Sequence, residues 1–137
     1  MFTDAFNDNA KPDDSVQGYH VHIYFERGTP SEKLAELLAK RTEAKSGGKI
    51  NEIIRYNKLV GPHTKPNIAL HIKPEGFAEI VSTLQLDSKG LSILIHPETG
   101  DDEKDHAERP MWIGKSVDLN MAFFTKLKPA SKGPNFR

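Results

Sequence analysis

The chain has 137 residues, 36% hydrophobic and 28% charged, which supports one domain with one core. Nineteen basic residues balance nineteen acidic ones, so no global field favours nucleic acid or an anionic membrane, and a small neutral partner fits better. Cysteine is absent, which excludes a disulfide framework, a thiolate nucleophile and any Cys-based zinc or iron–sulfur site; a metal here would be held by His and carboxylate.

Residues 1–18 are rich in Asp, Asn, Lys and Pro without an apolar period, which predicts a mobile tail. The first residues, Met1 to Phe6, lack a basic segment followed by an apolar one, and no apolar run reaches the ~20 residues of a membrane span. A soluble cytoplasmic protein is expected, with its domain over 19–125 and a flexible Lys/Pro/Ser/Gly tail over 126–137. Tyr19 to Phe25 alternates: Val21, Ile23 and Phe25 share one face of a first strand, and His20, His22 and Tyr24 share the other.

Thr29-Pro30-Ser31-Glu32 predicts a helix start, with Thr29 as cap and Glu32 closing a capping box. Leu34, Leu37, Leu38 and Arg41 follow at helical spacing, and Ser46-Gly47-Gly48 ends the element. From Ile50 to Val60 the β-branched and aromatic content predicts a second strand of imperfect alternation. After the turn Gly61 to Pro66, Asn67 to Ile72 reads as a third strand, with Ile68, Leu70 and Ile72 toward the helices and Asn67, Ala69 and His71 away.

Pro74 opens a second helix whose apolar side is Phe77, Ile80, Val81 and Leu84. Leu91, Ile93 and Ile95 then alternate with Ser92, Leu94 and His96 in a fourth strand, which Pro97 is expected to end. Gly100-Asp101-Asp102 turns an acidic loop back toward whatever His96 faces, and Asp118 to Phe124 reads as a fifth strand. The order βαββαβ predicts a ferredoxin-like α+β sandwich: an antiparallel sheet with helices on one face and the other face open.

In that topology the first strand lies between the third and fourth, so His20, His22, His71 and His96 converge on the open face. Neutral imidazole is a common ligand of first-row divalent metals, and two histidines two apart on a strand present two nitrogens to one point. With His96 as third ligand beside His20 and His22, open positions remain, as catalytic sites need. Glu98, Asp101 or Asp102 can replace one of them in a two-His-one-carboxylate site. His63, in the turn Gly61-Pro62-His63, is a candidate acid or base at the pocket rim. In Asp101-Asp102-x-x-Asp105-His106, a carboxylate can orient His106 or meet an amine on a substrate. Tyr24 is a candidate proton donor, and Trp112 reads as a core or interface residue.

His20-Val21-His22-Ile23-Tyr24-Phe25, Gly61-Pro62-His63, the block Leu94 to Asp102 with Asp105-His106, and Trp112-Ile113-Gly114 resemble, in order, the signature blocks of the DOPA 4,5-dioxygenase family. The resemblance covers about residues 19–125. It implies a small ferredoxin-like domain, a homodimer, and extradiol cleavage of a catechol ring such as that of DOPA by Fe2+ and O2. It also implies roles for His20, His22, His63, His96 and His106. His20, His22 and His96 are the expected metal ligands; His63, His106 and Asp101 are the expected catalytic groups. The alternative is a non-catalytic metal- or ligand-binding dimer on the same scaffold, with a zinc hydrolase third. A second copy is expected over the open sheet face, where Tyr24, Ala69 and Leu94 would otherwise form an apolar patch.

Overall fold

The computed structural model describes residues 15–127; most of both expected tails, 1–14 and 128–137, lies outside the described residues. The elements are β1 (Gly18–Tyr24), α1 (Pro30–Lys45), β2 (Ile50–Tyr56), β3 (Asn67–Ile72), α2 (Phe77–Asp87), β4 (Ile93–Glu98), α3 (Asp102–Ala107), β5 (Met111–Ile113) and α4 (Ala122–Leu127). A 3-10 turn at Pro74–Gly76 leads into α2. The strands form one antiparallel sheet in the order β2-β3-β1-β4-β5. Its first four strands and two helices give the expected ferredoxin-like sandwich, with β1 between β3 and β4. Pairing begins inside the first expected tail, since Gln17 N donates to Glu98 O at 2.8 Å, and α4 runs past the expected end of the domain.

Strand alternation builds the core. Val21 and Ile23 from β1, Leu70 and Ile72 from β3, and Ile93 and Ile95 from β4 are all 0–1% exposed against the helices. Each such side chain contributes roughly 1.5–3 kcal/mol through burial. From α2, Ile80, Val81 and Leu84 are buried as expected, and Phe77 lies on Tyr19 with ring centroids 4.5 Å apart. The buried face of α1 is Ala35, Leu38, Ala39 and Thr42, so that of the expected stripe Leu38 is buried and Leu34 packs against the core while the face is rotated away from Leu37 and Arg41. Leu37 is 52% exposed. The two alanines let the helix axis approach the sheet, which a leucine at either place would prevent.

Several local expectations are corrected. Thr29 precedes α1 in extended conformation without a side-chain cap, its hydroxyl donating to Glu26 O instead. Glu32 accepts from Gly28 N, one residue earlier than a capping box requires. β2 ends at Tyr56, and a register shift between Ile50 and Glu52 leaves one residue unpaired. That bulge puts Ile50 and Ile53, three apart, on the core side, which explains the imperfect alternation. Arg55 ties this edge to α1 through Glu32 and Glu36.

Pro97 does not stop the ladder: β1 pairs with β4 through Pro97 and Glu98, opposite Tyr19 and Gly18. β5 meets β4 only at Ile93, Leu94 and Ile95, so Pro97 lies where the other side of β4 is already an edge, and its missing N–H breaks no ladder there. The fifth strand is Met111–Ile113 rather than the expected 118–124. Residues 122–127 are instead the helix α4, where Phe123 N and Phe124 N donate to Asn120 O and Met121 O. Two aromatics of high strand propensity are turned into a cavity by local bonds, a tertiary override of propensity. The second half of the expected acidic loop is the helix α3. Among the described residues no helix is long and apolar enough to cross a membrane.

Candidate metal centre

The side of the sheet away from α1 and α2 carries a cavity of about 240 Å³. Its walls include His20, His22, His63, His71, His96 and His106, with Tyr56, Glu98 and Asp102, and Val60, Pro62, Phe123 and Phe124 on the apolar side. Register explains the convergence. His20 stands opposite both His71 and His96, and His22 stands opposite Ala69 and Leu94, whose shorter or apolar side chains leave room beside it. His63 arrives on the turn after β2, and α3 brings in His106. Gly100, at φ 97°, makes the reversal that starts α3.

The rings lie close together. His20 stacks on His71 with centroids 3.9 Å apart. His22 lies 4.0 Å from His63 and 5.4 Å from His96, and His96 lies 4.0 Å from His106. Single ring nitrogens of His20, His22 and His96 all lie within 4.8 Å of one another, and the same holds for His22, His63 and His106. The three residues expected as ligands thus come together, and His63 and His106 stand beside them in a second close group with His22.

Each imidazole is held by one nitrogen. His22 Nδ1 meets Asn67 Oδ1 at 2.9 Å, and the amide nitrogen of Asn67 faces Lys65 O, which sets the orientation of the amide. His96 Nδ1 meets Pro97 O at 2.9 Å, and His106 Nδ1 meets Asp102 O at 2.7 Å. These partners only accept, so Nδ1 carries the hydrogen in all three and Nε2 keeps a lone pair. His20 uses Nε2 instead, 3.0 Å from Glu98 Oε2. Outer partners of this kind fix the tautomer and aim of metal-ligating histidines.

Two of these nitrogens are both buried and unpartnered. Among the described residues, His22 Nε2 and His96 Nε2 are buried without a hydrogen-bond partner, as is Glu98 Oε1. Leaving buried polar atoms unpaired costs about 1–3 kcal/mol each. A divalent cation would satisfy both nitrogens, and neutral imidazoles are the donors such ions take, so the residues fit a first-row metal. The electrostatics agree. Burial lowers His96 to about 2 and His63 to about 3, with the neighbouring imidazoles adding to it. Burial likewise holds His22 well below its ordinary value and lowers His71 and His106. These five imidazoles are neutral at pH 7 and ready to ligate.

The remaining expected residues fall as follows. Tyr24 OH bonds His63 Nδ1 at 2.7 Å, and burial raises its pKa, so the phenol keeps its proton. Asp101 caps α3, accepting from Lys104 N at 3.1 Å, and acts on the site through the position of that helix. Asp105, 0% exposed, accepts from Thr99 N, Thr99 Oγ1 and Arg109 Nη1, which pins α3 to the end of β4. Trp112 lies 6.0 Å from the Tyr24 ring. Tyr24, Ala69 and Leu94 are 2%, 0% and 0% exposed within the single chain. The chain's own residues thus cover the patch over which a second copy is expected from the sequence.

Sequence reasoning passes over Asn67 as a partner of His22, the Thr99–Asp105–Arg109 network, and Phe123 and Phe124 as cavity walls. Asn67 carries a signal, a polar side chain at the start of a strand and on the histidine face. The phenylalanines carry none, since their strand-like pattern places them elsewhere.

Comparison with known proteins converges on one family. A family model described as Dopa 4,5-dioxygenase family matches residues 19–123. The chain is 32% identical over 115 residues to a DOPA 4,5-dioxygenase of Amanita muscaria, covering 80% of this chain and 50% of that protein. It thus spans about half the length of the Amanita protein. An uncharacterized 21.2 kDa protein of Botryotinia fuckeliana is 27% identical over 126 residues, covering 85% of this chain and 68% of that one. A crystal structure from Nostoc punctiforme described as a "putative dioxygenase" superposes with a TM-score of 0.75 at 32% identity, covering 82% of this chain and 95% of that chain. With its family signature spread along the strands and turns that build the histidine cavity, the chain belongs to the Dopa 4,5-dioxygenase family.

Proposed function

We propose that the chain is an Fe2+-dependent extradiol dioxygenase that opens the ring of a catechol-type substrate with O2, His20, His22 and His96 holding the metal. The observation that carries this reading is the pair of buried, unpartnered Nε2 atoms of His22 and His96 in a cavity of neutral imidazoles. Of the two close histidine triads, only His20–His22–His96 includes both of these residues, which favours it over His22–His63–His106. Glu98, Asn67 and the Pro97 carbonyl then serve as the outer partners that hold the three ligands.

Ferrous iron, when bound, would supply the redox and Lewis-acid chemistry that joins a catechol to O2. Both oxygen atoms enter the product, one carbon–carbon bond beside a hydroxyl-bearing carbon breaks, and no external reductant is consumed. The protein's own part is geometry and protons. The cavity holds a flat ring next to the ligands. His63, braced by Tyr24, and His106, braced by the Asp102 carbonyl, are the candidate proton carriers beside the ring.

The test is anaerobic reconstitution with Fe2+, followed by air and DOPA or caffeic acid. The expected result is a yellow ring-opened product and one O2 consumed per catechol. Protein that takes up iron and binds the catechol, yet consumes no O2, would be the non-catalytic binding protein of the alternative reading.

A further inference from the structure

The histidines supply one lining of the cavity, and a segment outside the βαββαβ frame supplies the other. After β5 the chain crosses to the turn that carries His63, where Asn120 N donates to Pro62 O at 2.7 Å and Thr64 Oγ1 donates to Asp118 O at 2.7 Å. These two bonds seat the arm formed by residues 118–124 on the turn formed by residues 61–64. Gly61 shapes this turn with φ 60°, a conformation that L side chains rarely adopt, and the Phe123 ring packs over it at ordinary contact distance, 3.8 Å from where a Cβ would be. Phe124, 5% exposed, lies edge-on to Phe123 with centroids 5.3 Å apart, and its other neighbour is the His106 ring at 5.3 Å. Both phenylalanines line the cavity.

We propose that this arm is the specificity element of the site, with Phe124, backed by Phe123, as the apolar wall against which the substrate ring packs and which limits the size of its substituents. The inference rests on the catechol reading above. Its physical basis is a division of labour. The sheet face offers mostly nitrogen donors, with Tyr56 at its β2 edge. The arm offers aromatic faces, which pack on rings in offset or edge geometry. Because arm and His63 share one turn, ring seat and candidate proton carrier are placed together.

The test uses full-length protein, metal-reconstituted, with Phe124→Ala, Phe124→Leu and Thr64→Val. Metal content, anaerobic binding of 4-nitrocatechol by its absorbance change, and KM and kcat for unsubstituted and tert-butyl-substituted catechols are the readouts. Loss of the aromatic wall in Phe124→Ala should weaken nitrocatechol binding roughly tenfold. Metal content should stay at the wild-type level. The ratio of kcat/KM for the bulky over the small catechol should rise in Phe124→Ala and move less in Phe124→Leu. Thr64→Val, an exposed change, should raise KM with metal unchanged. Wild-type affinity and substrate ratio in all folded variants would overturn the proposal, as would loss of metal in parallel with activity. If Phe124→Ala does not fold, the other two variants decide. Wild-type protein that binds nitrocatechol without consuming O2 refutes the dioxygenase reading, and the binding arm still judges the wall; wild-type protein that binds no catechol overturns both.

Discussion

The two faces of the sheet are made from alternate residues of the same strands, buried to a similar depth by opposite means. Toward the helices, Ile23, Leu70 and Ile95 are 0% exposed and need nothing but contact. Away from them, His22, Asn67 and His96 are 5%, 0% and 1% exposed. Every one of these polar groups has a partner on one side, yet two imidazole nitrogens end in the cavity with none. Burial does not separate the stabilising face from the functional one. Unmet bonding capacity does: one face contributes stability through area removed from water, while the other gives some up to keep ligands aimed.

The largest separation should come from exchanging damage between the faces. His96→Ala or His22→Ala should reduce bound metal and turnover to background while the cooperative unfolding of the metal-free protein persists. Leu70→Ala should do the reverse, destabilising by about 2–5 kcal/mol with metal stoichiometry per folded molecule intact. Metal analysis beside chemical denaturation reads both. A His96 variant with full metal content would strike that residue from the ligand set.

The histidine face itself divides into ligands and proton carriers, and His63 sharpens that division. His63→Ala should lower turnover by roughly 10²–10⁴-fold with iron content nearly unchanged. Parallel loss of iron would instead make His63 a ligand and bring the His22–His63–His106 triad forward. A smaller effect is expected one layer out. Asn67→Ala frees His22 Nδ1 and should weaken metal binding by roughly 10–100-fold, measured by competition with a chelator, without altering which catechols are accepted.

How much of this the sequence discloses follows from the range of the forces involved. Period-2 alternation fixes which face of its strand a residue takes, and the βαββαβ order puts β1 between the two other crossover strands. Those two facts together are enough to bring His20, His22, His71 and His96 onto one face. The span Asn67 to His71 is legible as a strand but not as a support for His22, because that needs the β1–β3 register, in which Asn67 stands opposite Tyr24. Asp105 carries no local sign of being wholly buried; its three donors come from Thr99 and Arg109, four to six residues away along a reversal. Phe123 and Phe124 look like a strand because their environment, the Gly61–Thr64 turn, lies some sixty residues upstream. Local pattern thus discloses the frame of the site, whereas the groups that brace its histidines and the apolar wall arise only from tertiary contact.

The mildest test is titration, since it perturbs the histidine face without cutting any atom away. Burial lowers the folded-state pKa of His22, His63, His96 and His106 below the ordinary histidine value, to about 3 for His63 and about 2 for His96. In the unfolded chain these groups return to about 6.5. Between the folded and unfolded values the unfolded chain holds more protons, so stability rises with pH across that window. The metal-free protein should therefore be fully stable above about pH 6.5 and should lose stability as the pH falls from there toward 3. Glu98, whose carboxyl is held below its ordinary value chiefly by the His20 hydrogen bond, adds a further loss in the same direction once the pH drops past the carboxylate range. The helix-side face contributes nothing to this slope, having no titratable group among Val21, Ile23, Leu70, Ile72, Ile93 and Ile95. Denaturation midpoints of metal-free protein at pH 7.5 and pH 5 should differ, and the difference should shrink in His96→Ala, where one buried imidazole no longer resists protonation. Equal midpoints at the two pH values would mean that the imidazoles protonate in place, and the account of a dry, neutral cluster ready for metal would fail with them.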